Sequence, residues 1–555
     1  MGSIIRKVYC GPNRIISSLG RDTQENYLGV HSYTTNISKY KDNTPVCLID
    51  RLLLNIVGLE QYTFAEQLSI TALSDVIQQS RVKIDDERTL LIISTTKGNI
   101  ECLNSDTHMC YLWSMSDKIA DYFHCKNKPI IVSNACISGV AAIVMGARFI
   151  EAGQYDNVYI LGVDVISEFV VSGFNSFKSI SPTICHPYDQ SRDGLTLGEG
   201  CAALLLSADN DISKSKIVVS GGGMSDDANH ISGPSRTGDG LSLAINTALT
   251  QSGLSPNQIG FVNAHGTGTP FNDEMESKAL NISLLADVPC NSLKPYLGHT
   301  LGASGVIETI LSIEQLRNNH IFGVKGYTKS GVPFNLNVSA KHRDMEVDHC
   351  IKTASGFGGT NVAVILSKES AREQKQTSKN KANIIEIAHI EIDKDTNVPF
   401  AEYIRSEYKA LSDSNLKFFK MDDLCKLGYV ASCKLLKGID LPYSAGRIGI
   451  VLANRSSSLN TDINHQSIVD QHLPEGASPA VFVYTLANIV AAEIAIKHKF
   501  QGELSMFISE NKNINFISEY SKLLISNGLC DAVLYGWCEL LHDEYQADLK
   551  LIKIE

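Results

Sequence analysis

The sequence predicts an α/β layered fold with mainly parallel sheets. Short continuous apolar runs, such as Thr89-Leu90-Leu91-Ile92-Ile93-Ser94 and Asn157-Val158-Tyr159-Ile160-Leu161-Gly162-Val163-Asp164, read as strands buried on both faces. Between them stand helix-period segments, such as residues 64–79, where Leu68, Ala72, Leu73 and Val76 share a face. The alternation of strand and helix then begins again after residue 210, which points to two related halves.

Taken in order, the strand at residues 89–94 ends in Thr95-Thr96-Lys97-Gly98. Pro129-Ile130-Ile131-Val132 is a short buried strand. It runs into Ser133-Asn134-Ala135-Cys136-Ile137-Ser138-Gly139 and an apolar helix that reaches residue 150. After the strand at residues 157–164, the loop 185–194 leads to a strand at residues 201–206. The second half has a strand at 216–220, a helix at 241–251, and a strand at 259–263 that delivers Ala264-His265-Gly266-Thr267-Gly268-Thr269. The Gly-rich turn 297–305 opens a helix to about residue 316. Two strands, 351–355 and 361–366, flank Gly356-Phe357-Gly358-Gly359-Thr360. Residues 368–383 are polar and aperiodic, as in a linker.

Composition narrows the function. The chain has 555 residues, 43% apolar and 20% charged, which suits two to four ordered domains. A net charge of −11 argues against a nucleic-acid binder. The 14 cysteines are scattered, without C-x-x-C pairs or zinc spacing, as in a reduced cytoplasmic protein. Nothing calls for a metal or a cofactor. The N-terminus lacks the apolar run of a signal peptide. Residues 482–496 are too short and too polar, with Asn488 and Glu493, to span a membrane.

Cys136 stands where a strand meets the N-terminus of a buried helix. There the helix dipole and free N–H groups favour an anion, so a thiol pKa can fall and the thiolate can act as a nucleophile. That stretch alone leaves a buried structural cysteine equally open. The wider set of motifs separates the two readings. Asn134-Ala135-Cys136-Ile137-Ser138-Gly139, Arg192-Asp193-Gly194, Asn263-Ala264-His265-Gly266-Thr267-Gly268-Thr269, Lys294-Pro295-Tyr296-Leu297-Gly298-His299 and Gly356-Phe357-Gly358-Gly359-Thr360-Asn361 follow one another in order. In this set the chain resembles the β-ketoacyl-acyl-carrier-protein synthases, condensing enzymes of the thiolase fold, over about two-thirds of its length.

The resemblance implies a layered α-β-α-β-α fold, with residues 1–210 and 211–368 as its halves and 369–383 as a linker. It implies that Cys136 accepts an acyl group from a carrier-protein thioester. The backbone N–H groups of Cys136 and Phe357 would hold the oxyanion. Decarboxylation of a malonyl thioester would leave an enolate bound by N–H groups of His265 and His299. Lys294 would help keep these imidazoles neutral, and Glu276 would pair with Lys294. Thr267 and Thr269 would bind substrate. Phe357, between Gly356 and Gly358, would act as a gate. The implied partners are an acyl carrier protein with phosphopantetheine-linked groups and a second synthase-like subunit, in a homodimer or heterodimer. A thiolase-type enzyme working on acyl-CoA and a non-elongating chain-length-factor-like subunit are the alternatives. The opening strand 8–13 and His186, where an arginine is common, depart from the family pattern.

Residues 384–555 resemble a degenerate, partial copy of the first half, of the kind found beside aryl-polyene-type pathways. Residues 427–432, 447–454 and 527–536 parallel 68–73, 89–95 and 152–162. Residues 482–492 are aligned with the elbow, which places Asn488 at the position of Cys136 and makes this unit non-catalytic. Its apolar run 481–490 needs a cover, so the unit is expected to dock on residues 1–368 or on another subunit.

Overall fold

A computed structural model describes residues 6–52, 58–371, 383–394, 398–471 and 476–555. Most of the expected linker, residues 372–382, lies outside the described residues.

The dominant feature is a fifteen-stranded sheet made of three five-stranded blocks. The first block runs Val8–Ser17, Gly200–Ser207, Asn157–Asp164, Thr89–Ser94, Ile130–Val132. The second runs from Ile217–Asp226 through Thr360–Lys368, His349–Gly356 and Phe261–Asn263 to Cys290–Asn291. They join where Val8 and Tyr9 pair with Val219 and Val218. Parallel pairing is confined to the inner strands: Thr89–Ser94 lies parallel to Ile130–Val132 and Asn157–Asp164, and Phe261–Asn263 to its two neighbours. The other pairs within these two blocks are antiparallel, so the sheet is mixed, not mainly parallel as the strand–helix alternation suggests. The reason is connectivity. Several strands join through hairpins or long loops, such as His349–Gly356 to Thr360–Lys368, and need no crossover helix.

Layering agrees with the expected α-β-α-β-α order. Helices Ser138–Glu151 and Ser304–Asn318 each pack on strands of both blocks and form the middle layer. Both are buried almost all round, as a helix with sheets on two sides must be. They touch through glycine. A Cβ on Gly139 would lie 2.7 Å from the Val306 nitrogen, and one on Gly305 2.4 Å from the Val140 nitrogen. Helix Phe64–Gln79, with its capping box at Thr63 and Glu66, covers the first block from outside, and Asp239–Ser252 covers the second.

The third block repeats the first in strand order. Ile384–Asp393, Glu544–Ile554, Ala532–Leu541, Ile448–Asn454 and Leu504–Ile508 take the places of Val8–Ser17, Gly200–Ser207, Asn157–Asp164, Thr89–Ser94 and Ile130–Val132. The two blocks meet edge to edge. Ile131 and Val132 pair antiparallel with Ile508 and Phe507. So residues 384–555 dock on the rest of the chain, as the exposed-patch argument requires. This arrangement corrects the alignment at Asn488. Residues 482–488 lead into helix Ile489–His498, which stands where Leu112–Tyr122 stands in the first block. The counterpart of the Cys136 elbow is the turn at residues 509–513, after Leu504–Ile508 and before helix Ile514–Ser526. An apolar run buried at an interface and an apolar helix behind an elbow have the same periodicity, so the pattern could not separate them.

Among the described residues no single helix is long and apolar enough to cross a membrane.

Candidate active site

Cys136 lies in a single 3-10 turn, Ala135–Ile137, between strand Ile130–Val132 and helix Ser138–Glu151. Ala135 has φ +47°, a left-handed conformation that costs a non-glycine residue energy and is held by its surroundings. Those surroundings include the appended unit. The Asn134 amide donates to Leu504 O at 2.8 Å and accepts from Met506 N at 2.7 Å, while Ser138 Oγ donates to Ala135 O at 2.6 Å. The second half carries a matching turn, Leu301–Ala303, with Leu301 at φ +51° before helix Ser304–Asn318. His299 sits just before it.

Strand Phe261–Asn263 delivers His265, and helix Lys294–Leu297 places Lys294 beneath it. The two imidazole rings stand 5.3 Å apart and nearly perpendicular. Cys136 Sγ and one ring nitrogen from each histidine lie within 4.8 Å of one another. Lys294 Nζ donates to His265 O at 2.6 Å and faces His265 Nδ1 at 3.4 Å. An ammonium only donates, so Nδ1 accepts and the His265 proton is on Nε2. His299 Nδ1 faces Ser304 Oγ at 3.3 Å, and its buried Nε2 has no hydrogen-bond partner among the described residues. Ser304 Oγ donates to Glu308 Oε1 at 3.3 Å, so it accepts from His299 Nδ1–H and leaves Nε2 free to take a proton; the Nε2–H tautomer needs the hydroxyl to turn away from Glu308.

Burial, together with the Lys294 ammonium, holds His265 well below the usual imidazole range and His299 down at about 3. Both rings are neutral at neutral pH. The thiol departs from expectation. Burial pushes Cys136 up to about 12, and the pull from Lys294 does not offset it. Desolvation here outweighs the helix terminus, so the resting group is a thiol and needs a base.

One assignment is overturned. Lys294 pairs with Glu308, at 2.8 Å, and not with Glu276. Glu276 instead accepts from the backbone N–H groups of His265 and Gly266, at 2.7 and 2.8 Å, and from Tyr188 and Thr353 hydroxyls. It shapes the His265 turn. Each of these glutamates lies on a helix near the site, and their sequence spacing did not reveal which one reaches the lysine. Glu308 Oε2 also meets Lys352 Nζ at 2.5 Å. Sequence reasoning missed both Glu308 and Lys352. The available signals were an acid, Glu308, among the apolar positions of helix Ser304–Asn318 and a lone lysine inside the buried strand His349–Gly356.

Thr267 and Thr269 face each other at 2.8 Å between hydroxyls, and Asp273 accepts from Thr267 N. Gly356 brings its loop against the elbow: a Cβ there would lie 3.2 Å from Cys136 N. Gly358 and Gly359, both after Phe357, have φ +92° and +82°, so of the two glycines that flank Phe357 only Gly358 takes the left-handed conformation. The Phe357 ring packs on Phe174 and Phe177, at centroid distances of 6.2 and 5.5 Å. Behind them stands Phe482 of the appended unit, 5.4 Å from Phe174. Asn488 donates to Phe357 O at 2.9 Å, so its observed contact is with the gate loop. Arg192 supports surrounding loops by donating to Gly331 O and Asp189 O and lies apart from the thiol.

Residues 87–211 match the family model described as β-ketoacyl synthase, N-terminal domain, and residues 217–327 match the β-ketoacyl synthase C-terminal domain. Residues 87–327 thus match both halves of a β-ketoacyl synthase domain. The chain is similar to the 3-oxoacyl-[acyl-carrier-protein] synthase 2 of Vibrio cholerae, 33% identical over 258 residues, covering 43% of this chain and 62% of that protein. A putative polyketide β-ketoacyl synthase of Streptomyces cyaneus is 31% identical over 277 residues, covering 47% and 65%. The chain therefore spans less than two-thirds of these relatives' length. Among solved structures, the ketosynthase ApeO in complex with its chain length factor ApeC from Xenorhabdus doucetiae aligns at TM-score 0.57 and 28% identity, covering 65% of this chain and 98% of that one. The PfaC keto synthase–chain length factor shares the fold along 99% of this chain and 78% of its own, at TM-score 0.78 and 13% identity.

Proposed function

We propose that the protein is a β-ketoacyl-acyl-carrier-protein synthase that joins an acyl group on Cys136 to a malonyl unit with loss of carbon dioxide, in fatty-acid, polyketide or aryl-polyene-type biosynthesis. The observation that carries this reading is a thiol within reach of two buried, neutral imidazoles backed by an ammonium.

In the first step the Cys136 thiol attacks the carbonyl of a carrier-bound thioester. Its proton passes to the free Nε2 of His299 and then to the departing carrier thiol. The N–H groups of Cys136 and Phe357 hold the oxyanion, each such donor being worth about 10²–10³ in rate. In the second step the malonyl carbon–carboxylate bond breaks and carbon dioxide leaves. The resulting enolate oxygen accepts from His265 Nε2–H and, once the Ser304 hydroxyl turns from Glu308 to donate to His299 Nδ1, from His299 Nε2–H. The enolate carbon attacks the acyl carbonyl, the Cys136 thiolate leaves, and a proton restores the thiol. Neutral donors suit this step because a protonated imidazole would bind the malonyl carboxylate and hold it in the ground state.

We assign residues 1–210 and 211–368 to the synthase halves and 384–555 to a degenerate synthase-like unit without its own chemistry. Its elbow counterpart, residues 509–513, holds no cysteine. The unit occupies the edge of strand Ile130–Val132, so the chain supplies its own synthase-like partner, and the external partner is an acyl carrier protein. The 14 cysteines are all free thiols in the structure, which fits a cytoplasmic protein.

The deciding experiment is intact-mass analysis after incubation with a panel of acyl-carrier donors, followed by malonyl-carrier. The expected result is one acyl adduct, absent from Cys136→Ser, that is consumed when malonyl-carrier is added. Consumption of acetyl-CoA in place of malonyl-carrier would identify a thiolase-type enzyme, and no adduct with any donor would overturn the assignment.

A further inference from the structure

Four charged side chains lie fully buried behind the two histidines: Lys294, Lys352, Glu308 and Glu276. Their contacts account for nearly every polar atom. Glu276 takes four donors, one for each lone-pair position, which leaves no place for an acid proton. Glu308 is held by Lys294 at 2.8 Å and Lys352 at 2.5 Å. Burial alone would raise its carboxyl, but the two ammoniums bring it down to about 2. Lys352 also donates to Ala264 O at 3.3 Å and Thr353 O at 2.9 Å, the carbonyls beside the His265 turn and the Glu276 contact. Two cations therefore stand against two anions in a region that holds no other compensating charge at hydrogen-bond distance. Unpaired charge in such a place is expensive, and the cheapest remedy is a proton on a neighbour.

We propose that Lys352 is a positioning residue that balances the second buried carboxylate and so keeps both catalytic imidazoles neutral. The inference rests on the condensing-enzyme reading for the meaning of that neutrality, but not for its measurement. Without Lys352, two carboxylates face one ammonium, and the groups able to take a proton are His265, His299 and Glu308, with Asp273, which burial raises to about 6, on the far side of Glu276. His265 and His299 lie nearest the reacting thiol, and Lys352 is one of the charges that depress both. Of the remaining groups, Lys294 packs from the helix below and Cys290 from the neighbouring strand. Burial holds the Cys290 thiol well above its ordinary value, so it stays neutral and adds no further negative charge.

The test compares Lys352→Met with Lys352→Arg in the full chain. Ring-nitrogen NMR of ¹⁵N-histidine-labelled protein, assigned with His265→Gln and His299→Gln, reads protonation directly. Lys352→Met should move the titration of at least one of the two rings up by one pH unit or more. Malonyl decarboxylation, nearly flat with pH in wild type, should then acquire an acid limb that begins one pH unit or more above the wild-type one, moving with the titration of that ring. Lys352→Arg, which keeps the cation, should restore the flat profile. A folded Lys352→Met protein whose rings titrate as in wild type, or whose activity falls equally at every pH, would overturn the proposal. If Lys352→Met does not fold, Lys352→Arg and Lys352→Gln carry the comparison, and equal profiles for those two would overturn it as well. A wild-type protein that never decarboxylates malonyl-carrier would sink the condensing reading, while the NMR titration would still decide the role of Lys352.

Discussion

The contact between the appended unit and the catalytic helix can be broken at one charge. Arg148, near the end of helix Ser138–Glu151, donates to Glu503 Oε2 at 2.7 Å and to Tyr520 OH at 2.9 Å, and Tyr520 OH donates to Glu503 Oε1 at 2.6 Å. All three are buried. In Glu503→Gln the shape is kept and the charge is lost. The new NH₂ group then faces donors from Arg148 or from Tyr520 and Ser505 whichever way the amide is turned. Charges about 4 Å apart at an effective dielectric of about 20 interact by about 4 kcal/mol. Stranding one partner of a buried pair costs about 3–5 kcal/mol. The expected loss is therefore about 3–5 kcal/mol, roughly a 10²–10⁴-fold change in the folding equilibrium. Replacing the whole cluster, with Arg148→Met, Glu503→Leu and Tyr520→Phe together, should recover most of it, because no charge is then left without a partner. The chain holds two tryptophans, Trp113 in the first block and Trp537 in the third. Trp113 packs in a core cluster with residues of the appended unit and under Arg455, and Trp537 in one with residues of the first unit, so denaturant titrations followed by tryptophan fluorescence read loss of the junction. The reasoning fails if Glu503→Gln costs less than about 1 kcal/mol, or if the triple variant is no more stable than the single one.

Other outcomes follow from the same contacts. Asn488→Ala should leave the acyl adduct on Cys136 in place but slow condensation several-fold, because the Phe357 carbonyl loses its donor; single-turnover loading and full turnover measured side by side check this. Phe482→Ala, at a buried ring against Gly173, Phe174 and Phe177, should cost about 3–5 kcal/mol and allow longer acyl groups to load, read by intact mass with a graded donor series. His299 is buried neutral, with a folded pKa of about 3 against about 6.5 unfolded. Between those values the unfolded chain binds the proton and the folded chain does not. The stability of wild type relative to His299→Asn should therefore fall with pH below about 6.5 by up to about 1.4 kcal/mol per unit; urea titrations of both proteins from pH 7 to pH 4.5 would show a constant difference if the reasoning is wrong.

The proposed reacting groups were legible through the ordered set of motifs and not through any one of them. The Cys136 stretch alone left a structural cysteine equally open, and His265, His299 and Lys294 took their roles from the family resemblance. The supporting charges were not legible. Glu308 and Lys352 reach Lys294 and Glu308 across separate elements, and a single acid or lysine in an apolar stretch says only that a partner exists. The long apolar run 482–496 drew attention from Leu504–Ile508, a five-residue strand with a serine and a methionine whose identity comes from its pairing with Ile130–Val132. The thiol showed the limit of a local rule: a helix N-terminus lowers a pKa where water still reaches, and here burial decides.

The edge-to-edge junction at Val132 and Phe507 sets how the assembly responds to dilution and to mutation. Two separate subunits joined there would part as concentration falls. Two units on one chain meet at an effective concentration set by the tether, in the millimolar range for short flexible connections, so their association is independent of how much protein is present. A symmetric pair would also suffer every interface substitution twice. Here the residues flanking the junction differ on its two sides, with Asn134 on one and Met506 on the other, so each side can change alone. Variation in residues 384–555 can therefore reshape the wall behind Phe357 without touching the copy of the fold that carries Cys136.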